Sequence, residues 1–223
     1  MDYIFLFLCL FISLFILHSL SKDDFVLIRK NISAFQMFDL ALLALVVSFI
    51  FGRVFYVLDT HNVAFIHLLR FFYIMKFPGF SFVGASIGFI IGVFLLFRGK
   101  SAFMRMFDMY SISFLPLFLF HLFSIQNIPH KTVILILGIP IISVVFLAFL
   151  KIHKDYLLKD GSISSIALLL IGAFSFYVGF VAPYPKIILG MSLSGIISIF
   201  VCILSFVLFG INERHLLKIR HAK

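Results

Sequence analysis

Residues 38–58 read FDLALLALVVSFIFGRVFYVL, and only Asp39 and Arg53 in this stretch carry a charge. About 20 residues, each rising about 1.5 Å, cross the roughly 30 Å of hydrocarbon in a bilayer. A helix is the form that closes every backbone hydrogen bond inside one such segment. Length rather than 3.6-residue periodicity decides the assignment, because a helix in lipid can be apolar all round. Working outward, similar runs occupy 3–20, 80–97, 109–125, 133–150, 163–181 and 187–211. The sequence therefore predicts an all-α polytopic membrane protein of about seven transmembrane helices. Its composition agrees: 63% of residues are hydrophobic, 12% are charged, and the mean hydropathy is +1.22. Such a balance excludes a water-soluble core. Residues 1–223 are read as one transmembrane domain, and 59–79 as an external interfacial arm rich in aromatics.

The net charge of +9 does not point to nucleic acid, because the basic residues sit in small groups between the apolar runs. Loops facing anionic lipid have that pattern. Thirteen Lys and Arg residues follow the first, third, fifth and seventh runs, whereas Arg70, Lys76, Lys131 and Lys186 lie on the opposite side. The positive-inside rule then places the N-terminus outside and the C-terminus in the cytoplasm. The first run is expected to be a retained helix, since no positive segment precedes it and it is longer than the apolar core of a signal peptide. Cys9 and Cys202 lie in separate apolar runs without metal-ligand spacing. They read as unpaired buried thiols, and no metal or cofactor is expected.

A few polar groups inside these runs need an explanation. Arg53 costs at least a few kcal/mol in hydrocarbon unless it reaches the headgroup layer or meets an anion such as a lipid phosphate. Gly84, Gly88 and Gly92 recur at every fourth position and bare one face of a helix. This is the mark of a tight packing seam, which a lipid crevice could share. Ser81 stands just before that stripe. The fourth run holds Pro116 and His121. A lone histidine in a bundle is more often structural than catalytic, and no carboxylate in the outer half of any helix is placed to orient this one.

The first half of the chain resembles the bacterial prolipoprotein diacylglyceryl transferases. Tyr3 opens the first helix as in that family, and the family's Gly-Arg-x-x-Tyr-Val-Leu stretch is matched by Gly52, Arg53, Tyr56, Val57 and Leu58. Its glycine-serine-phenylalanine-histidine-glycine-glycine motif is approached by Phe80-Ser81-Phe82-Val83-Gly84-Ala85, and Arg105 and Asp108 match a polar pair before the fourth helix. Beyond this, Gly161, Gly172-Ala173-Phe174 and Met191-Ser192 are similar to the family pattern. The resemblance implies seven helices, an outward-facing cavity and a phosphatidylglycerol-type lipid as partner. It also implies transfer of a diacylglyceryl group to a lipobox cysteine of a prolipoprotein, in the bacterial cytoplasmic (inner) membrane. On that basis Arg53, Tyr56 and Tyr3 are candidate phosphate-binding residues, and Ser81, Gly84 and Gly88 are candidate cavity-lining residues.

The departures from the family bear on chemistry. Val83 stands where the family has a catalytically important histidine, and valine can neither take up a proton nor donate a hydrogen bond. A family arginine and the glutamate after it fall at about Ser175 and Gly179. The family's Arg-x-Gly-Asn-Phe-x-Asn signature is replaced by residues 120–128, without its arginine. His121 is the one candidate replacement for the missing base. Three readings stay open: a divergent transferase, a catalytically inactive homologue that binds lipid or a partner protein, and a small transporter whose similarity is accidental.

Overall fold

A computed structural model of the chain describes residues 2–60, 80–97, 102–118, 131–181 and 192–213. Among the described residues the chain is helical throughout, apart from its turns and caps. In order these helices are α1 (Asp2–Lys22), α2 (Phe25–Arg29), α3 (Ala34–Thr60), α4 (Phe82–Phe97), α5 (Phe103–Ser113), α6 (Lys131–Lys154), α7 (Ser162–Val181) and α8 (Leu193–Asn212). Among the described residues four segments are long and apolar enough to cross a bilayer: Ala34–Leu58, Leu137–Lys154, Ser162–Phe180 and Leu193–Asn212. Shorter apolar helices cover Phe7–Lys22 and Phe82–Leu96. The all-α polytopic membrane class read from the sequence is the one observed. Of the expected arm, residues 61–79 lie outside the described residues, as do 119–130 with His121.

Helix ends differ from the apolar runs where side chains cap the backbone. α3 begins four residues before the run at 38–58, because Ser33 and Gln36 form a reciprocal capping box: Gln36 N donates to Ser33 Oγ and Ser33 N to Gln36 Oε1, both at 3.2 Å. α8 begins at Leu193, after Ser192, whose Oγ accepts from Gly195 N at 3.4 Å. α5 starts at Phe103 rather than at 109, since its polar first turns find buried partners and need not enter lipid. It breaks at Phe114, two residues before Pro116, and residues 115–118 resume a helical turn. The short α2 was not expected. Asp24 caps it by accepting from Val26 N and Leu27 N at 2.9 and 3.0 Å.

The chain forms two compact units: Met1–Asp39 with Gly99–Leu170 and Ile203–Lys223, and Leu40–Arg98 with Ile171–Cys202. In the first, α1 packs on α5 and α5 on α6. Leu17, Leu27, Met37, Met106 and Tyr110 are buried there, and Tyr110 Oη donates to the Met37 carbonyl at 2.8 Å. In the second, α4 lies against α3 along the glycine stripe. A Cβ on Gly88 would stand 2.6 Å from Phe51 Cβ and 2.9 Å from Ser48 Cα, and one on Gly92 would stand 3.0 Å from Ala44 Cα. Gly84 is closed in the same way by Phe55 Cβ and the Phe51 carbonyl. Ser48 Oγ donates to Ala85 O at 2.8 Å across this seam. Bare backbone allows the two helices to approach this closely, and dispersion at short range holds them where no hydrophobic drive acts.

Candidate functional site

Arg53 is 0% exposed, inside the span Ala34–Leu58 and within the second unit. Tyr56 lies one helical turn further on and is half-buried. The neighbouring Gly52 carbonyl accepts from Ser81 N at 3.0 Å, so the residue before α4 is tied to the turn that bears Arg53. Gly52 itself faces the Phe80 ring, and a Cβ there would stand 2.5 Å from it. Ser81 is buried and its Oγ accepts from Gly84 N at 3.3 Å, capping α4. Thus Arg53, Tyr56, Ser81, Gly84 and Gly88 occupy one unit, with the two glycines closed against α3. Tyr3 belongs to α1 in the first unit, and its side chain is not among those described.

A small crevice of about 10 Å³ in the second unit joins two positions that the sequence singled out. Its lining includes Val83, Ile87, Ile171, Gly172, Ser175 and Ser198. Val83 occupies the expected place of a histidine and Ser175 that of an arginine, and they share this one space. The Ser175 hydroxyl is buried without a hydrogen-bond partner among the described residues. A space this size holds about one water molecule, and the side chains around it are otherwise apolar or serine. No lining residue carries a charge.

The first unit holds a buried polar network of which the sequence singled out only Arg105, Asp108 and Gly161. Arg105 Nε donates to Asp24 Oδ2 at 2.9 Å and its Nη2 lies 2.8 Å from the same carboxylate oxygen. The same Nη2 donates to the His153 carbonyl at 3.1 Å, and Nη1 stands 3.5 Å from Asp160 Oδ1. The guanidinium also lies 4.4 Å from the centre of the Tyr156 ring. His153 Nε2 is 3.7 Å from Asp24 Oδ2, too far for a hydrogen bond, and neither ring nitrogen has a partner among the described residues.

Two further carboxylates hold the turn between α6 and α7. Asp108 accepts from Gly161 N and Ser164 N, both at 2.7 Å, at the start of α7. Burial pushes the Asp108 carboxyl up to about 6, against the pull of those backbone N–H bonds. Gly161 has φ +93°, and a Cβ there would meet Asn212 Nδ2 at 2.8 Å, so glycine suits both the backbone and the space. Glu213 Oε1 accepts from Lys159 N at 3.0 Å and from Ser162 Oγ at 2.5 Å, tying the end of α8 to the same turn. Asp24, His153 and Glu213 were missed because each is one polar residue near a helix end. Only the tertiary pairing distinguishes it from a solvated one.

A family model described as prolipoprotein diacylglyceryl transferase matches residues 3–121, slightly more than half of the chain. The chain belongs to this family. The matched region contains Arg53, Tyr56, Ser81, the glycine seam, Arg105 and Asp108, and it ends at His121. Membership removes the reading of an accidental similarity. This chain is a multi-pass membrane protein of prolipoprotein diacylglyceryl transferase type. No curated protein and no solved structure matches it. Among the described residues no group of His, Cys, Asp and Glu is arranged to hold a metal ion.

Proposed function

We propose that this member of the prolipoprotein diacylglyceryl transferase family binds a phosphatidylglycerol-type lipid at Arg53 and does not run the transfer reaction on the residues around positions 83 and 175. The observation that carries this reading is the meeting of Val83 and Ser175 in one uncharged crevice. Moving a diacylglyceryl group from phosphatidylglycerol to a thiol needs a base for the thiol and donors for the departing glycerol phosphate. Valine supplies neither, and a serine hydroxyl supplies one neutral donor. Arg53, buried within a membrane span, supplies a permanent cation of the fork shape that suits phosphate. Tyr56 and Ser81 stand nearby as hydroxyl donors, whereas Tyr3 is a candidate phosphate ligand by its motif alone. The protein sits in the bacterial cytoplasmic membrane with its N-terminus outside, as the distribution of Lys and Arg over the loops supports.

Transfer itself is the second reading. The family match favours it, and it makes His121 the base and a lipobox-containing prolipoprotein the acceptor. Membranes containing the protein, incubated with radiolabelled phosphatidylglycerol and a lipobox peptide, decide between the two. The first reading expects no label on the peptide above an empty-vector control, with the protein confirmed present. Labelling that disappears in His121→Ala establishes the second. Lipid binding is read separately by mass spectrometry of co-purified lipid, where Arg53→Ala is expected to lose anionic phospholipid. Unchanged lipid content in that variant refutes a phosphate site at Arg53.

A further inference from the structure

At the end of the helices that carries α2, the first unit buries three of its carboxylates and leaves six of its bases exposed. Asp24 is held by Arg105, Asp108 caps α7, and Glu213 binds the turn before α7; all three are buried. The bases Lys22, Arg29, Lys30, Lys151, Lys154 and Lys159 are all exposed, against exposed carboxylates at Asp23, Asp39, Asp155 and Asp160. Asp160 is in turn drawn to the buried Arg105 at 3.5 Å. The outward face is therefore basic.

That basic face also carries apolar side chains that no described residue covers. In α2, Leu27 is buried and fixes the helix, whereas Phe25 and Ile28, three residues apart on the opposite side, are 68% and 59% exposed. Phe35, at the start of α3, and Leu157, in the turn after α6, are also exposed. In water such exposure would be costly. The connectivity points to the membrane surface, because α2 joins the apolar helix α1 directly to α3, which from Ala34 is long and apolar enough to cross a bilayer. Apolar side chains beside lysine and arginine at that level are the pattern of an interfacial helix on an anionic leaflet.

From this we infer that α2, together with the turn at 155–161, is a second lipid-binding surface, which seats Phe25 and Ile28 among acyl chains and binds anionic phospholipid headgroups through Arg29, Lys30 and Lys22. It shares no residue with the proposed Arg53 site. The two can succeed or fail independently.

The chain contains no tryptophan, so a single one introduced on this surface reports alone. Full-length Phe25→Trp protein is reconstituted in vesicles of phosphatidylcholine and phosphatidylglycerol, with bromine on the acyl chains of one lipid at a time. Brominated phosphatidylglycerol is expected to quench more than its share of the bilayer predicts. Adding Arg29→Gln and Lys30→Gln should lower that excess about fivefold per residue, the ratio given by about 1 kcal/mol for each headgroup contact. Ile28→Trp supplies a second probe on the same face, and Phe94→Trp, on the exposed side of α4, verifies insertion by its quenching in brominated phosphatidylcholine. If aqueous iodide quenches the indole in both the Phe25→Trp and the Ile28→Trp proteins and neither brominated lipid does, the inference is overturned. Quenching by phosphatidylglycerol at its bulk share, unchanged by the charge variants, overturns the anionic preference.

Discussion

Replacing Arg105 by methionine should be the most damaging single change in the first unit. The side chain is 3% exposed and its guanidinium makes two contacts of 2.8 and 2.9 Å to Asp24, one of 3.1 Å to the His153 carbonyl and a looser one of 3.5 Å to Asp160. Methionine keeps most of the volume but leaves the Asp24 carboxylate buried without its cation. Breaking a buried pair by removing one partner costs about 3–5 kcal/mol. Asp24→Asn should cost less, about 2 kcal/mol, since asparagine still caps α2 and Asp160 still faces the guanidinium. In the double variant neither charge is stranded, so its loss should fall below the sum of the two by about 2–3 kcal/mol. Reversible unfolding of each protein in mixed detergent micelles, assembled as a double-mutant cycle, measures that coupling. A coupling under about 0.5 kcal/mol, the level of a solvated surface pair, would refute the claim that this network is a dry tertiary lock.

Asp108 gives a pH test. Its folded-state value of about 6 lies above the ordinary carboxyl value, so the folded state binds the proton more tightly than the unfolded state does. Stability from this group should therefore fall as pH rises through about 4 to 6, by roughly 3 kcal/mol, and Asp108→Asn should abolish that slope. An unchanged slope in the variant would assign the dependence to other groups. In the glycine seam, Gly88→Ala places a Cβ 2.9 Å from backbone at Ser48 and should destabilise by about 2 kcal/mol, whereas Gly210→Ala meets nothing within 4 Å and should be neutral or stabilising by up to about 1 kcal/mol. Equal thermal shifts for the two would contradict the packing. At Arg53, lysine keeps the charge but loses the planar fork, so Arg53→Lys should retain part of the anionic lipid that Arg53→Ala loses. Retention equal to the parent protein's would indicate that charge alone suffices there.

The all-α membrane class was legible because it depends on quantities that are local in the chain. The run at 38–58 is long enough and apolar enough to span hydrocarbon whatever surrounds it. The glycine repeat at 84, 88 and 92 announced a bare helix face, and the order of Tyr3, Gly52-Arg53, Tyr56 and Ser81 carried the family. Boundaries were less legible, because the Ser33–Gln36 box adds a turn before the run at 38–58 irrespective of hydropathy. The partner of the glycine stripe was not legible either. Nor was the inward turning of Asp24, Asp108 and Glu213, residues far apart in sequence whose charges only tertiary contact can pair. The structure also puts Val83 and Ser175 in the lining of one crevice. Sequence could single out the two positions separately, but only packing, which brings α4 and α7 onto one crevice, decides that they meet.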